Sequence, residues 1–129
     1  MSTKSQEIGP LAGFRIIDVT SVISGPGAMA ILADQGADVI KVEPPQGDIM
    51  RHRGDNPNFT PGFITVNRGK RSIVLDLKQP KAQPILWKLI ETADVFAQNF
   101  RPGVIERLGF DATTVLARQP NLVYLSISG

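Results

Sequence analysis

The stretch that most constrains the fold is residues 14–45, where two apolar β-branched runs flank a helical segment. Residues 15–19 and 39–42 predict buried strands, and residues 28–35 are good helix formers. Gly36 predicts the end of that helix, because glycine adopts positive φ at little cost. A strand, a helix and a strand in this order predict a βαβ unit with parallel strands and a right-handed crossover.

Three later apolar runs extend this unit. Residues 72–77, 95–98 and 122–127 predict strands, and residues 63–66 predict a short extended piece. Helices are predicted from Pro80 or Pro84 onwards and over residues 104–108 and 112–118. Strands that alternate with helices predict an α/β fold, with a parallel sheet and flanking helices.

Two features of the helices predict contacts outside this chain. The first helix is apolar almost all round over residues 28–33, which is typical of a helix buried on most sides, by a partner subunit or by further sequence. Trp87 falls off the apolar face of the helix that follows Pro84. Its position favours contact with an absent partner over a partly exposed indole.

Composition narrows the class of protein. The 129 residues make one domain or a portion of a larger one, and 42% hydrophobic residues exclude a disordered chain. The net charge is +2 with no basic run interleaved with aromatics, which argues against nucleic-acid binding. No apolar run approaches the ~18 residues of a membrane helix. Residues 1–10 are polar, predicting a flexible tail and no secretory signal, so we expect a cytoplasmic protein without a membrane partner.

Basic residues lie in or beside the loops that follow the predicted strands, where open α/β sheets bind ligands. They are Arg68, Lys70, Arg71, Lys78, Arg101 and Arg107. Each alone is ordinary surface charge, but together they predict an anionic ligand with phosphates. Phe100, between Asn99 and Arg101, predicts either a flat surface for a purine or a plug in the core.

Other site chemistries are disfavoured. Residues 25–30 spell G-x-G-x-x-A, with Glu43 placed like a ribose-binding acid. Residues 20–24 separate the first glycine from the strand, so we interpret the motif as a proline-initiated helix with small residues for close packing. His52 is the single histidine, predicted to lie in a loop, and the chain has no cysteine, so neither a metal site nor a nucleophilic triad is expected. Asp18, Asp48 and Asp76 are candidate acids, each with an alternative role at a strand end or turn.

Taken together, five segments resemble the start of family III CoA-transferases of the CaiB/BaiF type. They are PLAGFRIIDVT (10–20), GPGAMAILADQGADVIKVEPPQGD (25–48), NRGKRSIVLDLK (67–78), ADVFAQNFRPGVIERLGF (93–110) and PNLVYLSISG (120–129). The resemblance implies a partial Rossmann-like CoA-binding domain over residues 11–129, the N-terminal portion of a longer enzyme. That enzyme would exchange CoA between an acyl-CoA thioester and a free carboxylic acid, without a metal or NAD.

The resemblance also implies which residues contact CoA. They are Val22, Ile23, Leu75, Lys78, Asn99, Phe100, Arg101 and Arg107. Phosphates would meet the basic side chains, and adenine would lie near the end of the third strand. Two positions depart from the family, since some members have a glutamine at Ile23, beside the thioester, and an arginine at Pro44.

Catalytic residues are expected outside this sequence. In the family the nucleophilic aspartate lies beyond the S-I-S-G strand, as does the His/Asp pair of the related 2-methylacyl-CoA racemases. The S-I-S-G motif ends here at Gly129, so the resemblance implies that the aspartate lies beyond Gly129. The 129-residue chain is therefore expected to be inactive alone, and the full-length protein to form an interlocked homodimer. Three alternatives remain: a 2-methylacyl-CoA racemase, a non-catalytic nucleotide-binding module, and a dinucleotide oxidoreductase.

Overall fold

The computed structural model describes residues 8–56 and 60–128, and its strands form one parallel sheet. In this described part the strands are β1 (Arg15–Asp18), β2 (Asp38–Glu43), β3 (Arg71–Val74), β4 (Val95–Gln98) and β5 (Val123–Ser126). Their order across the sheet is β3-β2-β1-β4-β5, and each neighbouring pair is parallel. The predicted α/β fold with a parallel sheet is confirmed.

Both ends of the predicted domain organisation fall partly outside the described residues. Residues 1–7, which make up most of the predicted tail, lie outside them. Gly129, the last residue of the predicted domain over residues 11–129, also lies outside them. The expectation that the nucleophilic aspartate lies beyond Gly129 therefore stays a prediction, because no described residue tests it.

Helices connect successive strands. They are α1 (Ser24–Asp34), α2 (Pro61–Asn67), α3 (Gln83–Glu91), α4 (Val104–Leu108) and α5 (Ala112–Arg118), with short 3-10 turns at Ile49–His52 and Pro80–Ala82. Gly36 follows α1 at φ 100°, so the predicted end of that helix is confirmed. Within residues 8–56 and 60–128, we find no helix with the length and apolarity that a membrane span requires.

The helices cover both faces of the sheet. Successive residues of a strand point to opposite faces, so each strand contributes to two apolar layers. Ile17 joins the layer that contains Leu86 of α3 and Val115 of α5. Its neighbour Ile16 joins the opposite layer, against Met29 of α1. All five side chains are at most 2% exposed, so the sheet is the middle of three packed layers.

The prediction of an extended piece over residues 63–66 is wrong, since this segment lies inside α2. Pro61 stands in the first turn of α2, where the N–H that proline lacks is not needed. The Thr65 hydroxyl donates to Pro61 O at 2.8 Å, and Asn67 Nδ2 donates to Phe63 O at 3.0 Å. These local bonds outweigh the strand preference of the β-branched residues in the segment.

The two helices expected to contact something outside the chain differ in how far this chain covers them. In α1, Met29 and Ala30 are buried, but Ile31 is 54% exposed, so the helix is not covered on most sides. The Trp87 ring lies 5.0 Å from the Phe110 ring between centroids. The Arg118 guanidinium lies over the Trp87 ring, 3.8 Å from its centroid. Trp87 is half-buried and packs against residues of its own chain, and its contact with a partner stays a prediction.

Candidate functional site

Two cavities open where the strands end at their carboxyl edge. The first cavity, of about 360 Å³, lies over the ends of β1, β2 and β3, and the second, of about 580 Å³, lies beside β1 and β4. Both are lined by Ser21, Phe100 and Val104, so they share a wall. The chain leaves β1 and β4 towards opposite sides of the sheet, and this point is where open α/β sheets bind ligands.

The first cavity combines an apolar interior with a charged rim. Val42 and Leu75 are buried apolar residues of its lining, whereas Lys78 is exposed. The Lys78 side chain forms no ion pair within the described part of the chain. Such a cavity suits a ligand with a flat or apolar body and a negatively charged end.

Seven of the eight residues implied to contact CoA line these cavities. Leu75, Lys78 and Phe100 line the first, and Val22, Ile23, Asn99, Phe100 and Arg101 line the second. Arg107 lines neither; it is exposed on α4, with its guanidinium beside Gly103. Arg101 and Arg107, like Lys78, pair with no carboxylate of residues 8–56 or 60–128.

Three of the six basic residues predicted to meet an anion form ion pairs with carboxylates of this chain, so their role towards an anion stays a prediction. The pairs are Arg68 with Asp34 at 2.7 Å, Arg71 with Asp38 at 2.7 Å, and Lys70 with Asp18 at 2.9 Å. Of the six, Lys78, Arg101 and Arg107 are the ones without a carboxylate partner in the described part of the chain.

Two amide side chains at the end of β4, those of Gln98 and Asn99, shape the wall between the cavities. Asn99 Oδ1 accepts from the Ser21 N–H at 2.9 Å, and Asn99 Nδ2 donates to Ser21 O at 2.8 Å. Gln98 Oε1 accepts from the Phe100 N–H at 3.0 Å. Phe100 is half-buried and packs against the core, as predicted for a plug, and it also lines both cavities. Its role as a flat surface for a purine stays a prediction. Asn99 thus acts here on the backbone of the loop after β1.

The Glu43 carboxylate at the end of β2 is fully engaged. Arg51 donates to it through Nε at 2.7 Å and Nη2 at 2.9 Å, and the Ser72 hydroxyl and the Asp48 N–H also donate. Burial alone would raise the pKa of Glu43, but the hydrogen bonds from Arg51, Ser72 and Asp48 outweigh it and lower the pKa to about 2. Glu43 is therefore an ionised structural group rather than a free acceptor for a ribose.

Replacing Glu43 by glutamine is expected to flatten the loss of stability in acid. The folded pKa of about 2 lies below the ordinary 4.5, so ionised Glu43 stabilises the fold fully above about pH 4.5. That contribution is lost as the pH falls towards 2. Urea unfolding between pH 7 and pH 3 measures the slope, with Glu91→Gln as a half-exposed control. Equal slopes for Glu43→Gln and the wild type would contradict the assignment.

Sequence reasoning missed a buried ion pair beneath the cavities. Lys41 Nζ lies 2.9 Å from Asp48 Oδ2, with side-chain exposures of 2% and 1%. The signal was present, because Lys41 interrupts the apolar run 39–42 and a charge in a buried strand needs a partner. Asp48 was considered as an acid, but its partner was not identified.

Metal-ligating side chains do not gather in the described part of the chain. Among residues 8–56 and 60–128 there is no group of three or more histidine, cysteine or acidic side chains placed to hold a metal ion. His52 ends a 3-10 turn within its loop, with Nε2 2.7 Å from Gln46 O.

The fold defines an α/β domain with cavities at the point where the strand order reverses, which is where open α/β sheets bind ligands. The chain belongs to CoA-transferase family III, which it matches over residues 11–129. This match confirms the resemblance to family III CoA-transferases found in the sequence.

Relatives and solved structures agree with the family assignment. The chain is 44% identical over 133 residues to acetyl-CoA:oxalate CoA-transferase of Acetobacter aceti, covering 99% of this chain and 33% of the relative. It is 47% identical over 122 residues to formyl-CoA:oxalate CoA-transferase of Rhodopseudomonas palustris, covering 92% and 29%. A CaiB/BaiF family protein from Brucella suis superimposes with a TM-score of 0.88 at 36% identity, covering 95% of this chain and 34% of that structure. The chain thus spans about a third of the length of these relatives.

Proposed function

We propose that this chain binds a CoA thioester for an enzyme that exchanges CoA between an acyl-CoA and a free carboxylic acid. The observation that carries the proposal is the first cavity, whose lining includes the apolar Leu75 and Phe100 and also Lys78, which pairs with no carboxylate of the described residues. CoA combines a flat adenine, three phosphate groups and a long pantetheine arm. An apolar cavity with nearby cations matches that chemistry.

The arrangement supports one placement of the ligand. Adenine would lie against Leu75 and Phe100, with the phosphates near Lys78, Arg101 and Arg107, since lysine and arginine suit phosphate oxygens. The pantetheine arm would then run along the shared wall into the second cavity. Its thioester would end beside Val22 and Ile23.

The same proposal assigns binding, rather than bond exchange, to the described residues. The carboxylates Glu43 and Asp48 are held by Arg51 and Lys41, so neither is a free nucleophile. Because the resemblance implies that the nucleophilic aspartate lies beyond Gly129, we expect no acyl exchange by the purified chain. A nucleophilic aspartate beyond Gly129, an interlocked homodimer and a cytoplasmic location belong to this proposal as implications of the family resemblance. An aspartate-bearing continuation would favour the transferase, and a His/Asp pair would favour the racemase.

Calorimetric titration of acetyl-CoA into the folded chain tests the binding proposal. We expect saturable binding that weakens as salt is raised, because counterions compete for the basic side chains. NADH is the matched control, since the contacts of Glu43 oppose a ribose at that position. No binding to a chain that circular dichroism shows to be folded would overturn the proposal. Tighter binding of NADH would favour the dinucleotide alternative.

A further inference from the structure

The loop after β1, residues 19–23, is held by side chains from several strand ends. The Thr20 N–H donates to Asp18 Oδ1 at 2.9 Å, and Lys41 Nζ donates to Thr20 O at 3.0 Å. Asn99 engages both the N–H and the C=O of Ser21. This loop, here called the switch-point loop, therefore has its backbone fixed before any ligand arrives.

The backbone conformation of Val22 makes this fixed loop energetically unfavourable. Among the described residues it is the single non-glycine residue with a positive φ, at 73°. A β-branched side chain is strongly disfavoured in this region, so surrounding contacts must impose the conformation. Val22 is 39% exposed and lines the second cavity, so the strained residue is also a wall of the proposed site.

Asp48 supplies the contact that acts directly on Val22. Both of its carboxylate oxygens accept from the Val22 N–H, each at 3.4 Å, and Oδ1 also accepts from the Met50 N–H at 2.9 Å. Lys41 neutralises Asp48 at 2.9 Å while it donates to Thr20 O. One buried ion pair thus holds the switch-point loop on both sides of Ser21.

We propose that Asp48, paired with Lys41, is a positioning residue that keeps Val22 at its positive φ and so preforms the second cavity for the thioester end of CoA. This rests on the proposed function, since it presumes that a CoA thioester occupies the cavities. Without Asp48, Val22 relaxes towards negative φ and the loop is ready to bind for only part of the time. The apparent affinity falls by that same fraction.

A double-mutant cycle with acetyl-CoA tests the proposal by calorimetry. We expect Asp48→Asn to weaken binding about 10-fold when residue 22 is valine, through the smaller competent fraction. In a Val22→Gly background the same change is expected to weaken binding less than about 3-fold, because glycine adopts positive φ without strain. Asp76→Asn is the control; Asp76 lines the first cavity, and its carboxylate accepts from the Lys78 N–H rather than from Val22, so its effect should not depend on residue 22.

Equal effects of Asp48→Asn in both backgrounds would overturn the proposal, and so would unchanged affinity with a lower melting temperature. If Asp48→Asn alone does not fold, Lys41→Met/Asp48→Asn removes the unpaired buried lysine and enters the same cycle. If the wild type binds no acetyl-CoA, the proposed function fails. The positioning role is then decided separately by the Val22 ¹³Cα and ¹³Cβ shifts, which must leave left-handed values in Asp48→Asn.

Discussion

Replacing Lys70 by methionine is expected to lower the free energy of unfolding by about 3–5 kcal/mol, the usual cost of breaking a buried ion pair. Lys70 Nζ lies 2.9 Å from Asp18 Oδ2, and the two side chains are 2% and 0% exposed. The ammonium also donates to Pro26 O and Asn67 Oδ1, so it joins β1, α1 and α2. In Lys70→Met the Asp18 carboxylate would remain buried without its cation.

Urea unfolding at pH 7, followed by circular dichroism, measures this loss. The double variant Lys70→Met/Asp18→Asn is expected to recover part of the stability, because the remaining buried group carries no charge. Arg68→Met is the exposed control; Arg68 and Asp34 are 45% and 49% exposed, and such pairs contribute little. A Lys70→Met variant as stable as Arg68→Met would show that the buried pair is not a main support of the fold.

Replacing both Lys78 and Arg107 by alanine is expected to weaken acetyl-CoA binding roughly 100-fold. A hydrogen bond to a charged group contributes about 1.5–3 kcal/mol, so two lost phosphate contacts reach that factor. Both side chains are exposed and pair with no carboxylate in the described part of the chain, so stability should barely change. We therefore expect this variant to lose affinity for acetyl-CoA while its stability stays close to that of the wild type.

Calorimetry at two salt concentrations and a melting curve provide the two measurements. The control Lys81→Ala/Lys88→Ala removes the same number of charges from exposed positions that are not among the residues implied to contact CoA. An equal loss of affinity in the control would indicate general electrostatic attraction rather than a site. A lower melting temperature with unchanged affinity would show Lys78 and Arg107 to be structural.

The fold was predictable because its strands are short apolar runs separated by helices. Residues 95–98 were predicted as a strand and form β4 with the same bounds. Residues 63–66 were predicted as extended and are helical, because a proline in the first turn and local side-chain bonds outweigh the strand preference of β-branched residues. A rule based on residue type alone does not weigh those two effects.

The edge of the sheet that carries the cavities was predictable from the sequence. The ion-pair partners of the charged residues were not. Arg71 is paired because the sheet places β3 beside β2, which carries Asp38. That register is a property of the assembled sheet rather than of the residues near Arg71. The positive φ of Val22 was not predictable either, since a β-branched residue disfavours it. The contact with Asp48 that accompanies it forms only in the folded chain.

The strand order has a consequence for when the site forms. The pairing of β1 with β2 joins Ile16 to Val39, whereas the pairing of β1 with β4 joins Ile16 to Val95. Closing a longer loop costs more entropy and slows folding, so the β1–β4 pairing is the more demanding nucleation step. Ser21 and Phe100 meet only across that pairing. We therefore expect the edge that carries the cavities to be completed only after β1 and β4 pair. A chain in which only β1, β2 and β3 have paired would hold one side of these cavities.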